Sequence, residues 1–382
     1  MPFKRVLIAQ QSTISHYRIP FYNALDLLRP KDWSFEVVYD PSEREKKTFF
    51  GDDVDSSIFN FPTLRANTYS LASRTRTISY QTFLLKAREF DLIIVEDAIN
   101  NITYPLCHLY KLNGTRIAYW GLGKDRKIDK HSPLTYLIER FKLFLNRFAD
   151  GYFAYTTGVK SYLVERGIQE NRIFTVNNTL DINRHHEAFM KIKGDRDKIR
   201  NEFGLSKKKV LLFVSTFKKS KRADFLLKAF SILQRMDSNF HLLLVGSGGE
   251  KYIEDEIRNV SYFGSITDEK KLAPIFVASD IFAYPGQVGL APLQALCYNL
   301  PVMAIESHYY HGPEIEYLSD SNSIILPEST TPEQYAKAIN ELMKNQDGFD
   351  NLKFGVWPSI QHLTIENMAN NFINGINTIL GI

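Results

Sequence analysis

Short apolar runs alternate with stretches of helical periodicity along the whole chain, a pattern that predicts parallel α/β layers. In the first half, Arg5–Ala9, Phe35–Tyr39, Leu92–Val95, Arg116–Trp120 and Gly151–Ala154 read as strands, with helices over Pro20–Leu28 and Ser79–Glu89. The second half restarts the pattern with strands at Lys209–Val214, His241–Val245, Val260–Phe263, Ile281–Ala283 and Val302–Ile305. Helices are expected there over Arg222–Met236, Asp268–Ala278, Ala291–Tyr298 and Pro332–Lys344. Between the halves, Asp181–Gly194 is polar and charged without a sustained period, and reads as a linker. The expectation is two doubly wound, Rossmann-like domains facing a cleft, over residues 1–181 and 195–362. A last helical pattern, Thr364–Leu380, follows a break at Trp357-Pro358 and sets Ile365, Met368, Ala369, Phe372, Ile373 and Ile376 on one face. It either crosses back onto the first domain or closes the second.

One further helix has two readings. Ser132-Pro133 is a cap and first-turn signal. After it, Leu134, Leu137, Ile138, Phe141, Phe144, Leu145 and Phe148 recur at helical spacing, bordered by Arg140, Lys142 and Arg147. Such a stripe faces a core, or lies in an anionic membrane interface. No stretch approaches the roughly 18 apolar residues of a spanning helix. The run Val6–Ala9 after Lys4-Arg5 is too short for a signal-peptide core. With only Cys107 and Cys297 and no disulfide framework, a reducing, cytoplasmic setting is expected, on or off the inner membrane face.

Charge narrows the partners. A net charge of +4 is too small for a dedicated nucleic-acid binder. Residues 1–180 carry 25 Lys and Arg against 19 Asp and Glu, which suits an anionic substrate or membrane face and equally an ordinary solvated surface.

The stretch that carries chemistry runs from Tyr284 to Val302. A strand ends near Ala283, a Pro285-Gly286 turn follows, and Val288-Gly289-Leu290 lead into a helix. Gly289 lets the backbone approach a bound group, and the helix start offers free N–H donors and a positive dipole end, which together suit a phosphate. Gln294, one turn on, is within reach of a ribose hydroxyl. An ordinary strand–turn–helix corner has the same pattern.

This stretch resembles the donor-site motif of glycosyltransferase family 4, P-S-x-x-E-G-F-G-L-P-x-x-E-A-x-A-x-G-x-P-V. The resemblance continues in order. Ser215 to Asp224 looks like G-R-L-x-x-x-K-G-x-D, and Leu242–Gly249 resembles a strand ending in V-G-x-G. Ser261–Gly264 with Leu272 and Ala278-Ser-Asp280 is similar to F-x-G…L…Y-x-x-A-D. Tyr155-Thr156 through Asn178–Asp181 is similar to the end of the family's acceptor domain, and His16-Tyr17-Arg18-Ile-Pro-Phe-Tyr to an early Y-R-x-P-F-Y variant.

The resemblance implies the GT-B fold and retaining transfer of a sugar from a nucleotide diphosphate to a glycan or lipid-linked acceptor. Surface polysaccharide biosynthesis, such as lipopolysaccharide or capsule, is the implied setting. No tightly bound cofactor and no metal is expected. Catalysis then rests on orientation and on stabilising negative charge at the leaving diphosphate. Lys221 is the expected charge-bearing residue, with Ser215, Thr216 and the backbone N–H groups of Val288, Gly289 and Leu290 around the phosphates. The base is expected near Gly264 and Ile266. On the acceptor side the candidates are His16 and Arg18, just after the first strand, Trp120 in Trp120-Gly121-Leu122-Gly123, and Glu314 in His311-Gly-Pro-Glu314. Glu96 and Asp97 end an apolar strand, where open α/β sheets bind their ligands, and either is a candidate for orienting the acceptor hydroxyl or taking its proton.

The sequence also departs from the motif. The two family glutamates fall on Gly286 and Gln294, the phosphate-binding arginine on Thr216, and the histidine of W-G-H-G on Leu122. These changes keep open a non-enzymatic reading, a binding or scaffold protein on the same fold. A dehydrogenase would need G-x-G-x-x-G after a strand. Gly246-Ser-Gly248-Gly249-Glu-Lys251 and Gln10-Gln11-Ser12 both lack it. A nucleotide-sugar epimerase shares the architecture. The nine histidines show no metal spacing, and Asp52-Asp53 and Asp195–Asp197 lie in polar segments, so no metal site is expected.

Overall fold

The computed structural model describes residues 3–10, 13–40, 59–72, 77–124, 133–250, 258–307 and 311–382. Gln11, Ser12, Asp52, Asp53, Ser132 and Lys251 lie outside the described residues, as do the side chains of Pro133 and Leu134. The chain forms two units, Met1–Asn178 with Ile365–Ile382, and Thr179–Thr364.

The first unit holds strands β1 (Lys4–Ala9), β2 (Trp33–Tyr39), β3 (Thr63–Arg65), the hairpin β4 (Thr68–Ala72) and β5 (Thr77–Gln81), then β6 (Leu92–Glu96), β7 (Arg116–Gly121), β8 (Gly151–Ala154) and β9 (Ile173–Thr175). Seven of these make a parallel sheet in the order β3-β2-β1-β6-β7-β8-β9. The second unit holds β10 (Lys209–Val214), β11 (Phe240–Val245), β12 (Val260–Tyr262), β13 (Ile281–Tyr284), β14 (Val302–Ile305) and β15 (Ser323–Leu326), all parallel, in the order β12-β11-β10-β13-β14-β15. Central strands such as Leu92–Val95 and Val302–Ile305 are buried along their length, because crossover helices cover both faces of a parallel sheet. In each unit the order reverses beside the first strand. There the crossovers leave on opposite faces, and a crevice opens beyond the carboxyl ends of the strands.

Several elements differ from expectation. Ser79–Glu89 is not one helix: Thr77–Gln81 pairs with Thr68–Ala72, and only Thr82–Glu89 turns, as a 3-10 helix. The expected linker is a helix, Ile182–Ile192, started by the Asp181 carboxylate accepting from the Arg184 N–H at 3.1 Å. Its polar composition hid an amphipathic period. Pro358 does not break the chain but sits in the last turn of a helix, Gln346–Ile360. Asp195 and Asp197 belong to a 3-10 turn and to the helix Arg196–Glu202.

The final helix, Ile365–Leu380, is part of the first unit. Phe372 stacks on Phe153 at 4.2 Å and meets the edges of Trp120 at 4.9 Å and Phe21 at 5.2 Å. Where the chain leaves and re-enters the second unit, the Thr179 hydroxyl donates to the Leu363 carbonyl at 2.7 Å. Replacing the fully buried Phe372 by Ala removes a ring that packs against three aromatic neighbours and is expected to cost about 3–5 kcal/mol. A urea titration of Phe372→Ala checks this; a change below about 1 kcal/mol contradicts the packing described.

Candidate functional site

The motif segment of the second unit lies at its strand-order reversal, on the loops that follow β10 and β13. Gln287 N–H donates to the Ser220 carbonyl at 2.8 Å, the Lys221 ammonium to the Gln287 carbonyl at 2.7 Å, and the Arg222 guanidinium reaches the Pro285 carbonyl at 3.5 Å. The loops are therefore joined through main-chain atoms. A Cβ on Gly286 would fall 2.3 Å from the Lys221 carbonyl carbon and oxygen, so no side chain fits on this path. The glutamate that the resembled motif carries here is excluded by contact. Gly246 is similarly required: with φ of +135°, its Cβ would lie 1.7 Å from the Ser215 carbonyl oxygen.

Lys221 is half-buried, with its ammonium 5.5 Å from the Tyr284 ring centre, whereas Lys218 is exposed. Burial pulls the Lys221 pKa down to about 8, against the attraction of the Glu314 carboxylate, which acts the other way. Glu314, expected on the acceptor side, thus belongs with Lys221 in the second unit, in a buried turn Pro313–Tyr317. The Ser215 hydroxyl lies 3.2 Å from the Tyr284 hydroxyl, whose pKa burial raises to about 12.

The helix Leu290–Cys297 begins at Gly289 with no side-chain cap. Nothing lies within 4 Å of where a Cβ on Gly289 would sit. Among the described residues no acceptor takes the N–H of Gly289, Leu290 or Ala291, which leaves three donors at an open helix start. Val288 is different. Its N–H donates to Nδ1 of the buried His311 at 3.0 Å, and His311 Nε2 donates to the Ile305 carbonyl at 2.9 Å. The expected role of Val288 N–H toward a phosphate is therefore corrected, since His311 already satisfies it. The Gly312 N–H donates to the Val288 carbonyl at 2.8 Å, completing the clamp. His311 had a place in the sequence motif but no role, because nothing local to it points at residue 288.

Neighbouring loops carry the remaining second-unit candidates. Gly264, with φ of +67°, accepts from the Gly246 N–H at 2.7 Å through its carbonyl. Ile266 is partly buried against the core, and Thr216 and Gln294 are half-exposed. Tyr262 donates to the Gly246 carbonyl at 2.7 Å and pins the loop after β11.

In the first unit the candidates separate. His16 is exposed and Glu96 half-exposed at the end of β6. Asp97, the next residue, turns inward with its side chain 2% exposed. It accepts from the Tyr152 hydroxyl at 2.7 Å and Asn146 at 3.3 Å, and pairs with Lys142 at 3.3 Å. Its catalytic candidacy is withdrawn: its oxygens are occupied by a buried network. Trp120 is fully buried between Phe21 and Phe372, so it offers an acceptor no surface. Arg18 is buried too, its guanidinium 4.5 Å above the Trp120 ring and donating to the Tyr155 hydroxyl at 2.9 Å.

Known proteins place this arrangement. Residues 195–353 match the family of glycosyl transferases group 1. The spore coat protein SA of Bacillus subtilis (strain 168) is 24% identical over 191 residues, which cover 45% of this chain and half the length of that relative. Among solved structures, Anabaena Alr3699/HepE in complex with UDP superposes with a TM-score of 0.69 at 15% identity, covering 98% of this chain and 99% of that one. The lipopolysaccharide outer core galactosyltransferase WaaB, in its apo form, gives 0.61 at 15% identity, covering 97% and 98%. The UDP-GlcNAc 2-epimerase from Neisseria meningitidis bound to UDP-GlcNAc gives 0.62 at 14% identity, covering 98% and 99%. The fold is GT-B, with two Rossmann-like domains. The solved structures that share the fold include a transferase and an epimerase. Among the described residues no helix is long and apolar enough to cross a membrane, and no group of three or more His, Cys, Asp or Glu is placed to hold a metal ion.

The burial of Asp97 has a measurable consequence. Asp97→Asn removes the nearer and more deeply buried of the two carboxylates that face the buried Lys142 ammonium, leaving Glu139 at 3.6 Å, and is expected to destabilise the protein by about 3 kcal/mol. Glu96→Gln, at the rim, is expected to cost about 1 kcal/mol or less. Chemical denaturation of both variants checks the contrast, and equal losses contradict it.

Proposed function

We propose that this protein is a retaining glycosyltransferase that moves a sugar from a nucleotide-diphosphate sugar to a glycan or lipid-linked acceptor in surface polysaccharide biosynthesis. The observation that carries the reading is the open helix start at Gly289, with unclaimed N–H donors beside the Lys221 ammonium, inside the segment that matches the transferase family. A diphosphate meets peptide dipoles and a point charge there.

In the proposed reaction the bond from the sugar C1 to the diphosphate oxygen breaks, and the acceptor oxygen bonds C1 on the same face. The electron pair stays with the diphosphate, and the acceptor's proton passes to a leaving phosphate oxygen. Lys221 and the N–H groups of Gly289 and Leu290 stabilise the charge as it grows. Ser215 and Thr216 border the phosphates, Gln294 takes a ribose hydroxyl, and the base lies by Gly264 and Ile266. Glu314 acts on the donor side by holding the Lys221 charge. His16, exposed, and Glu96, half-exposed, are the first-unit residues proposed to meet the acceptor. UDP, which the Anabaena structure holds, is the nucleotide to try first.

A second reading has a specific observation behind it. Gly286 cannot carry the motif carboxylate, which suits a protein that binds a nucleotide sugar without transferring it. Calorimetry with a panel of nucleotide sugars, followed by a hydrolysis and transfer assay, separates the two. Transfer supports the enzyme, binding alone supports the second reading, and no binding removes both.

Lys221→Met keeps the apolar stem and loses the charge. It is expected to weaken UDP binding roughly tenfold to a hundredfold, against less than about threefold for Lys218→Ala. Equal binding curves remove Lys221 from the site. With its pKa at about 8, Lys221 is charged below that pH and neutral above it. A bound diphosphate favours the charged form. UDP affinity is therefore expected to fall as the pH rises from 7 to 9, with proton uptake on binding. Lys221→Met is expected to be flat over that window.

A further inference from the structure

The helix Pro133–Phe148 is oriented contrary to its composition. Among its described side chains the two that are buried are polar: Lys142 and Asn146, 5% and 2% exposed, both directed at Asp97. Its large apolar side chains face outward, with Leu137, Phe141, Phe144 and Phe148 between 49% and 67% exposed. Ile138 is partly buried, and Leu143 and Leu145, partly buried too, pack against the core of the unit. The cause is electrostatic. The buried Asp97 carboxylate needs a cation and hydrogen-bond donors; Tyr152 on β8 supplies one donor, and the polar face of this helix supplies the cation, Lys142, and a second donor, Asn146. Turning that face inward leaves the phenylalanines in water, which is unfavourable unless something covers them.

The apolar surface continues beyond the helix. The Lys111 ammonium donates to the Phe148 carbonyl at 2.7 Å, which sets the turn Cys107–Asn113 beside the helix end, with Leu109 and Leu112 exposed. The Tyr110 hydroxyl donates to the Leu84 carbonyl, bringing in the turn Thr82–Glu89 with Leu85 exposed. Among the described residues its exposed charge is mainly positive. Arg140, Arg147, Lys86 and Arg88 are exposed here. The nearby acids are engaged: Glu139 with Lys142, Asp150 with Lys111, and Glu89 with Arg5.

We propose that this face docks the first unit on an anionic lipid bilayer, the helix lying in the interface with its phenylalanines among the acyl chains and its arginines at the headgroups. Exposed aromatic and leucine side chains with cationic borders match such a surface in both hydrophobicity and sign. The helix has 16 residues, and among the described residues none is long and apolar enough to cross the bilayer, so it lies on the surface rather than through it. The inference stands on this face alone and does not rest on the transfer reaction.

The test is co-sedimentation of the full chain with vesicles of equal parts phosphatidylglycerol and phosphatidylcholine, and with phosphatidylcholine alone. Binding is expected to favour the anionic vesicles and to weaken with salt. The double variant Phe141→Ser/Phe144→Ser is expected to lower the partition coefficient at least tenfold. Arg140→Glu/Arg147→Glu is expected to lower it about fivefold or more per arginine. Phe354→Ser, at an exposed ring in the other unit, is expected to leave it unchanged. Circular dichroism melts confirm that each variant is folded. No binding to anionic vesicles, or equal binding by the phenylalanine variant, overturns the proposal. So does an equilibrium sedimentation result in which the wild type is a dimer that the phenylalanine variant loses while vesicles are ignored, because the face then belongs to a second copy of the chain.

Discussion

A parallel sheet whose strand order reverses beside its first strand cannot close its carboxyl edge. Crossovers that leave on opposite faces pull the flanking loops apart, and the peptide groups at that edge remain free to meet a ligand. Both sheets of this protein are wound that way, 3-2-1-4 in local order, and most candidate groups derive their position from it. In the second unit the edge is joined by hydrogen bonds between residues 220–222 and 285–287, all accepted by main-chain carbonyls. Two glycines, Gly246 and Gly286, let backbone pass backbone at distances no side chain allows. What stays unclaimed is the start of the helix at Gly289.

Charge is handled differently in the two units. Lys221 is half-buried, which takes away part of its basicity, while the attraction of Glu314 opposes that loss. Asp97 and Lys142 are withdrawn from water, Tyr152 and Asn146 donate to the Asp97 carboxylate, and Glu139 is a second partner of Lys142. The first arrangement keeps a charge available to a ligand. The second uses charge to fix orientation, and its consequence appears at the opposite side of the helix, as exposed phenylalanines.

Much of this was legible in the residues. Ten runs predicted as strands are strands, because apolar four- to six-residue segments bounded by turn residues have few other stable places to go. The short edge strands Thr63–Arg65, Ile173–Thr175 and Ser323–Leu326 and the hairpin at 68–81 were not, since their partly exposed positions lack a clear period. The strand–turn–helix from Tyr284 to Cys297 showed its Gly289 corner in advance. That Val288 N–H is already bonded was hidden, because its acceptor, His311, is reached only through the path of β14 and the turn beyond it.

The sequence by itself determined the two doubly wound sheets, the crossover helices and the location of the glycine-opened corner, because hydrophobic period and turn chemistry are local properties. Tertiary structure alone decided the direction of individual side chains. Glu96 stays at the rim while Asp97 turns under the sheet, Trp120 is closed over by a helix from the far end of the chain, and Pro133–Phe148 shows its apolar side to solvent. A period tells which residues share a face. Which face turns inward depends on a partner distant along the chain, here a carboxylate bonded to a tyrosine 55 residues away, and that pairing exists only once the sheet has formed.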